Sequence, residues 1–177
     1  MSILNKKKNL ASNDKTIIVG GGCFWGVEAY FQRLKGVTYT EVGYANGNIE
    51  NPTYEQVCSG EASHVEAVYI KYDNTITLTK ILEHLFRIID PYSVNKQGGD
   101  IGIQYRTGVY YVDEEDLLEI MKFIKDFEKK HERKTAVEVK PLYNYYEAEA
   151  YHQKYLDKHV GGYCHVDLNL LRKEEMK

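Results

Sequence analysis

Hydrophobic and polar positions recur along this chain with two periods, and the changes between them mark the elements. Thr16-Ile17-Ile18-Val19 is a short β-branched run bounded by glycine, which predicts a buried strand. From Phe24 the spacing becomes helical, with Val27, Tyr30, Phe31 and Leu34 on one side, so Phe24 to Leu34 reads as an amphipathic helix closed by Gly36. Val37 to Ala45 is rich in Val, Tyr and Thr and predicts a second strand; Asn46-Gly47 and Asn51-Pro52 then mark a loop. Thr53 to Gly60 leads to a third strand, His64 to Tyr72. There Val65, Ala67 and Tyr69 share one face, and Glu66, Val68, Ile70 and Tyr72 the other. Leu78 to Ile89 carries Leu78, Ile81, Leu82, Leu85, Ile88 and Ile89 on one helical face and stops at Asp90-Pro91. A glycine-rich loop through Arg106 precedes a strand at Thr107 to Val112, a helix at Glu114 to His131 and a strand at Ala136 to Val139 closed by Pro141.

The order strand, helix, strand, strand, helix, strand predicts the α+β class. The expected architecture is a two-layer sandwich on a ferredoxin-like split βαβ core, with helices on one face of a largely antiparallel sheet. A helix and a strand are added at its end, followed by a long extended C-terminal segment from about residue 142. Residues 1–14 are polar and aperiodic and read as a mobile tail, leaving 15–177 as a single domain.

Composition narrows the function. The chain has 177 residues, 43% of them hydrophobic, enough to bury a sizeable core, and its formal net charge of −3 argues against nucleic acid as the main partner. No apolar run approaches the roughly 20 residues of a membrane span, and no signal-peptide core follows the basic N-terminus, so a cytoplasmic protein is expected. Cys23, Cys58 and Cys164 are odd in number and widely spaced, without a C-x-x-C. That pattern suits nucleophilic or redox thiols better than a disulfide framework, and its spacing supports no metal site.

The candidate chemistry centres on Gly20-Gly21-Gly22-Cys23-Phe24-Trp25-Gly26, where a strand turns into a helix and leaves one thiol at the turn. Unpaired N–H groups and the dipole at a helix N-terminus favour an anion, so a lowered thiol pKa is expected at Cys23. The glycines match neither G-x-G-x-x-G nor a P-loop, which makes nucleotide binding a weak reading. Glu66 interrupts an apolar strand face: either it reaches water at a sheet edge, or it is buried and its raised pKa lets it give a proton at neutral pH. Tyr143, Tyr145, Tyr146, Tyr151 and Tyr155 read as anchors of the C-terminal segment, with base stacking opposed by Glu147 and Glu149. Gly161-Gly162 before Cys164 would let that backbone move, which suggests a second redox thiol.

In this order the residues resemble peptide methionine sulfoxide reductase A. The resemblance is carried by Gly22-Cys23-Phe24-Trp25-Gly26, Asn51-Pro52-Thr53-Tyr54, Val57-Cys58-Ser59-Gly60, His64 with Glu66, Gly99-Asp100 with Gly102 and Gln104-Tyr105-Arg106, Tyr151-His152-Gln153 and Gly162-Tyr163-Cys164. It implies that Cys23 attacks the sulfoxide sulfur of the S epimer and that Phe24 and Trp25 form an apolar slot for the substrate methyl group. Glu66 would protonate the oxygen, Tyr54 and Tyr105 would direct hydroxyls at it, and Asp100 would help bind the substrate backbone or orient the site. Cys23 would become a sulfenic acid and condense with Cys164, and thioredoxin or dithiothreitol would reduce the disulfide. The resemblance implies no cofactor and no metal, a monomer, and a structural role for Cys58. The chain departs from the family's commoner pattern at Ser63, Val65, Ile89 and Tyr92, and no fourth cysteine follows Cys164, so a three-cysteine relay is not available. Two rival readings remain: a cysteine hydrolase pairing Cys23 with His64, His152 or His165, and a binding module for methionine-rich peptides without turnover.

Overall fold

The computed structural model describes residues 14–177, so all of the expected N-terminal tail except Asp14 lies outside the described residues. The chain runs β1 (Lys15–Gly21), α1 (Phe24–Phe31), β2 (Val37–Ala45), α2 (Tyr54–Ser59), β3 (Val65–Tyr72), α3 (Leu78–Ile88), β4 (Lys96–Gln97) and β5 (Asp100–Ile101). It continues with β6 (Thr107–Tyr111), α4 (Asp116–His131), β7 (Glu138–Pro141), β8 (Tyr145–Glu147) and α5 (Tyr155–Lys158). Six strands form one sheet in the order β7-β6-β1-β3-β2-β8, and β4 with β5 makes a separate hairpin. Every neighbouring pair in the large sheet is antiparallel except β6 and β7, which run parallel across the α4 crossover. The protein is therefore of the mixed α+β class.

The alternation along β3 separates two cores, because successive side chains leave opposite faces of a strand. Val68, Ile70 and Tyr72 pack with Ile17 and Val19 of β1 beneath α1, α3 and α4; Val65, Ala67 and Tyr69 join Ile18, Tyr110 and Tyr145 on the other face. On that second face the tyrosine rings fill the layer and their hydroxyls find acceptors. Tyr145 donates to Glu41 at 2.8 Å and Tyr110 to Glu138 at 2.7 Å. Glu66 lies on the α1 side.

Two parts of the chain depart from the sequence reading. Thr53 to Gly60 folds as a helix: the Thr53 side chain accepts from the Gln56 N–H at 3.2 Å, Gln56 Oε1 accepts from the Thr53 N–H at 2.9 Å, and Gly60 ends the helix at φ +82°. This T-x-x-Q capping box is a local signal. Replacing Thr53 with alanine is expected to cost about 1 kcal/mol, read as a lower denaturant midpoint with unchanged slope.

The C-terminal segment, expected to be extended, instead forms β8, α5 and several single turns along the edge of β2 and over α1. Where β8 stops, the Gln153 amide takes over its pairing: its oxygen accepts from the Val42 N–H at 3.0 Å and its nitrogen donates to the Val42 carbonyl at 2.8 Å. Next to it, Lys154 reaches buried Glu28 at 2.8 Å, with Thr40 completing the pocket. Such an ion pair stabilises only because both charges keep hydrogen-bonding partners. The chain end then returns past α1: the Lys35 N–H donates to the Glu175 carbonyl at 2.9 Å, and Arg87 holds the Glu175 carboxylate at 2.7 Å.

Candidate active site

Cys23 caps α1, with φ −52° and ψ 123°, immediately after Gly22 at φ +86°. A side chain at Gly22 would be strained by that φ, and its Cβ would lie 2.7 Å from Cβ of Gln97. Gln97 is itself fixed by paired hydrogen bonds to the Asp90 N–H at 2.9 Å and carbonyl at 2.8 Å. The thiol is thus presented from a turn that only glycine allows.

The expected drop in thiol pKa is overturned. Only 8% of Cys23 is exposed, and burial pushes the thiol well above its ordinary range, with the nearby Glu66 carboxyl adding to the effect. The helix terminus does act on the sulfur through the Trp25 N–H, which favours the thiolate, but desolvation is the larger effect. The Phe24 N–H, the donor next to it, is committed to Glu66 Oε1 at 3.2 Å.

Of the two readings left open for Glu66, burial is the one observed. The residue is 1% exposed, and loss of solvent raises its carboxyl to about 8, against the opposing pull of the Phe24 N–H and with help from Asp100. At neutral pH it carries a proton. Tyr54, the first residue of α2, and Tyr105, in the turn Ile103–Tyr105, complete this polar wall. Burial raises both phenols; Tyr54 also shares a hydrogen bond with the Cys58 thiol, and Glu66 acts on both rings. Asp100, on β5, accepts from the Tyr163 hydroxyl at 2.9 Å and so ties the hairpin to the C-terminal segment.

The aromatic side of the site is more elaborate than Phe24 and Trp25 alone. The Trp25 indole stacks on Tyr155 with centroids 3.7 Å apart and planes at 8°, and its N–H donates to His152 Nδ1 at 3.0 Å. The buried His152 ring lies 5.1 Å from Phe24, 4.5 Å from Tyr54 and 4.0 Å from Tyr151, and burial lowers its pKa. Glu149 accepts from the Tyr44 hydroxyl at 2.8 Å and the Tyr54 N–H at 3.1 Å, fixing the start of α2 against the site. Sequence reasoning assigned no site role to Tyr155, Tyr163 or Glu149, and considered His152 only as a base for a cysteine hydrolase, not as a support of the Trp25 indole. The run Tyr151-His152-Gln153 was the available signal. As for the tyrosines read as anchors, Tyr145 is buried, whereas Tyr143 and Tyr151 stand largely in solvent.

Cys164 meets α1 from outside. A Cβ on Gly26 would come within 2.9 Å of its sulfur, and the Cys164 thiol donates to the Val166 carbonyl at 3.1 Å. All three thiols are free, with Cys58 exposed on α2. Among the described residues no hydrogen bond joins Cys23 to a histidine. His64 is buried against Tyr146, with its pKa lowered to about 4 by loss of solvent; His152 is held by Trp25 and His165 by the Gly21 carbonyl. The arrangement does not provide the thiol–imidazole pair that a cysteine hydrolase needs. No group of three or more His, Cys, Asp or Glu among the described residues could hold a metal ion. Two broad surface grooves, of about 770 and 630 Å³, lie elsewhere and are lined by none of these site residues.

Comparison with known proteins points the same way. The sequence matches the family described as peptide methionine sulfoxide reductase over residues 15–177. It is 54% identical over 160 residues to the peptide methionine sulfoxide reductase MsrA of Ureaplasma urealyticum, covering 90% of this chain and 97% of that one. The fold is similar to that of Mxr1 from Saccharomyces cerevisiae in reduced form, with a TM-score of 0.81 and 36% identity over 88% of this chain and 91% of the other. A structure of Mxr1 in complex with Trx2 is also similar, with a TM-score of 0.57 and 26% identity over 84% of this chain and 91% of the other.

Proposed function

Because the chain belongs to the peptide methionine sulfoxide reductase family, we propose that Cys23 and Glu66 together perform the reduction on the S epimer of methionine sulfoxide. The observation that carries this is a thiol and a protonated carboxyl buried together at one helix start, the carboxyl held by the Phe24 N–H. Thiolate and carboxylate together would place two negative charges in one desolvated site, so as Glu66 gives up its proton the thiol proton takes its place on the carboxylate. Glu66 passes its proton to the sulfoxide oxygen, Cys23 attacks sulfur, and the carboxylate so formed receives the thiol proton. The S–O bond of the substrate breaks as the hydroxyl passes to the Cys23 sulfur, and the transient bond between the two sulfurs breaks with its electron pair going to the substrate sulfur. Methionine leaves reduced by two electrons and Cys23 is left as a sulfenic acid.

Tyr54 and Tyr105 serve the oxygen as it gains charge, both phenols being held protonated on the Glu66 side of the site. Phe24 and Trp25 receive the methyl group, with Tyr155 and His152 keeping the indole in place, and Asp100 with Tyr163 borders the substrate backbone. Cys164 then condenses with the sulfenic acid, and thioredoxin reduces the resulting disulfide. We place the enzyme in the cytoplasm, as a monomer needing no cofactor. Residues 15–177 act as one catalytic unit, in which β1, α1, β2, β3, α3 and β6 form a ferredoxin-like split βαβ core. The order β6-β1-β3-β2 with antiparallel neighbours supports that reading.

The test is to incubate the protein with the separate S and R epimers of a methionine sulfoxide peptide plus dithiothreitol and to measure methionine. Turnover is expected with S alone; comparable turnover of R would overturn the assignment. A Cys164→Ser variant is expected to release one methionine per enzyme and stop as a sulfenic acid, detected by dimedone and intact mass. Thioredoxin should recycle it poorly, while dithiothreitol still does so.

A further inference from the structure

We propose that His165 is a positioning residue for disulfide formation, a latch that holds Cys164 over the Cys23 turn. The inference rests on the reading of Cys164 as the resolving thiol. His165 Nε2 donates to the Gly21 carbonyl at 2.8 Å, a bond spanning 144 positions of sequence, and Gly21 is the last residue of β1 before the Gly22-Cys23 turn. The imidazole fills the space that a side chain at Gly22 would take, since a Cβ there would lie 2.8 Å from Nε2. Cys164, the residue before it, sits on Gly26 on the other side of the turn. Consecutive residues of the segment therefore grip the two sides of Cys23.

The chain on the N-terminal side of this grip is loosely held. Val160 is 95% exposed, Gly161 has φ +81°, and Tyr163 is half exposed, its hydroxyl donating to Asp100. Val166, buried on Gly26, anchors the other side. Without His165 the thiol would sit at the end of a loop fixed mainly downstream. The step it serves forms one S–S bond: Cys164 gives its proton to the sulfenic oxygen, the S–O bond of Cys23 breaks, and water leaves. Cys164 is oxidised and Cys23 reduced within the pair. The attacking sulfur must lie in line with the S–O bond, so its rate depends on how the loop is held.

His165→Phe and His165→Gln separate the latch from a general structural role. In His165→Phe the single-turnover release of methionine is expected at the wild-type rate within about twofold, while disulfide formation slows by roughly ten- to a hundredfold, the scale of a misplacement of about 1 Å. The sulfenic acid should then stay open to dimedone for correspondingly longer, and turnover with thioredoxin should fall while turnover with dithiothreitol holds. His165→Gln, whose amide can donate to the Gly21 carbonyl, is expected to recover most of the lost rate. Disulfide formation at the wild-type rate in His165→Phe would overturn the proposal, and so would a parallel slowing of methionine release, which would make the residue a support of the catalytic turn itself. A Cys164→Ser control reports on the underlying reading. If that variant recycles with thioredoxin at the wild-type rate, Cys164 is not the resolving thiol and the latch proposal falls with it.

Discussion

A Cys23→Ser variant is expected to form no methionine from the S epimer, even with abundant dithiothreitol, while folding normally. The hydroxyl fits the space of the thiol at the cap of α1, so the turn at Gly22 and the bond from the Phe24 N–H to Glu66 have no reason to change. The chemistry has every reason to change. A serine hydroxyl is a far weaker nucleophile at neutral pH, and oxygen offers no sulfenic acid to carry the two electrons. The Trp25 N–H that favours the thiolate cannot offset this, since burial already pushes even the more acidic thiol well above its usual range. Rapid-quench methionine yield checks the expectation, and activity above a few per cent of wild type would move the nucleophile elsewhere.

Glu66→Gln is expected to lower kcat/KM by about 10²- to 10⁴-fold, the usual worth of a general acid, with the fold intact. The amide oxygen still accepts from the Phe24 N–H, so the start of α1 stays where it is, but no proton is available for the sulfoxide oxygen. For the wild type, the carboxyl titrating near 8 predicts that activity holds through neutral pH and falls as pH rises through about 8, where the acid is lost; the variant's residual activity should lack that limb. Stability carries the same group with a definite sign. Between the ordinary carboxyl value and about 8 the folded chain keeps a proton that the unfolded chain has released, so this site costs stability progressively as pH rises and the cost levels off above 8. Glu66→Gln should therefore gain on the wild type between pH 6 and 9 in urea midpoint. Removing the carboxylate charge beside Cys23 should also ease ionisation of the thiol, giving faster alkylation of Cys23 at alkaline pH. A loss below roughly tenfold would leave Glu66 without the acid role.

Most of the element pattern was written locally in the residues. Val37–Ala45 falls where the Val, Tyr and Thr content put it, and the alternation in β3 separates Val65, Ala67 and Tyr69 from Val68, Ile70 and Tyr72 as the pleat requires. Helix α2 was equally local: Thr53 and Gln56 spell its capping box, and only the reading missed it. The position of Cys23 at a helix start was legible too, since a strand, glycines and a helical apolar stripe identify it without any distant contact. What the thiol does there was not. Its pKa depends on how much water is removed and on which charges arrive from β3 and β5, and those are sums over residues far apart in sequence. The same holds for Glu66, whose place on an apolar face left edge exposure and burial both open until the packing of α1 over β3 excluded water. The tertiary structure alone also brought His152 and Tyr155 to Trp25 and laid Cys164 on Gly26, through contacts spanning well over a hundred positions. Periodicity and capping act over a turn or a strand and can be read from neighbours, whereas desolvation and the meeting of distant side chains exist only once the chain has closed on itself.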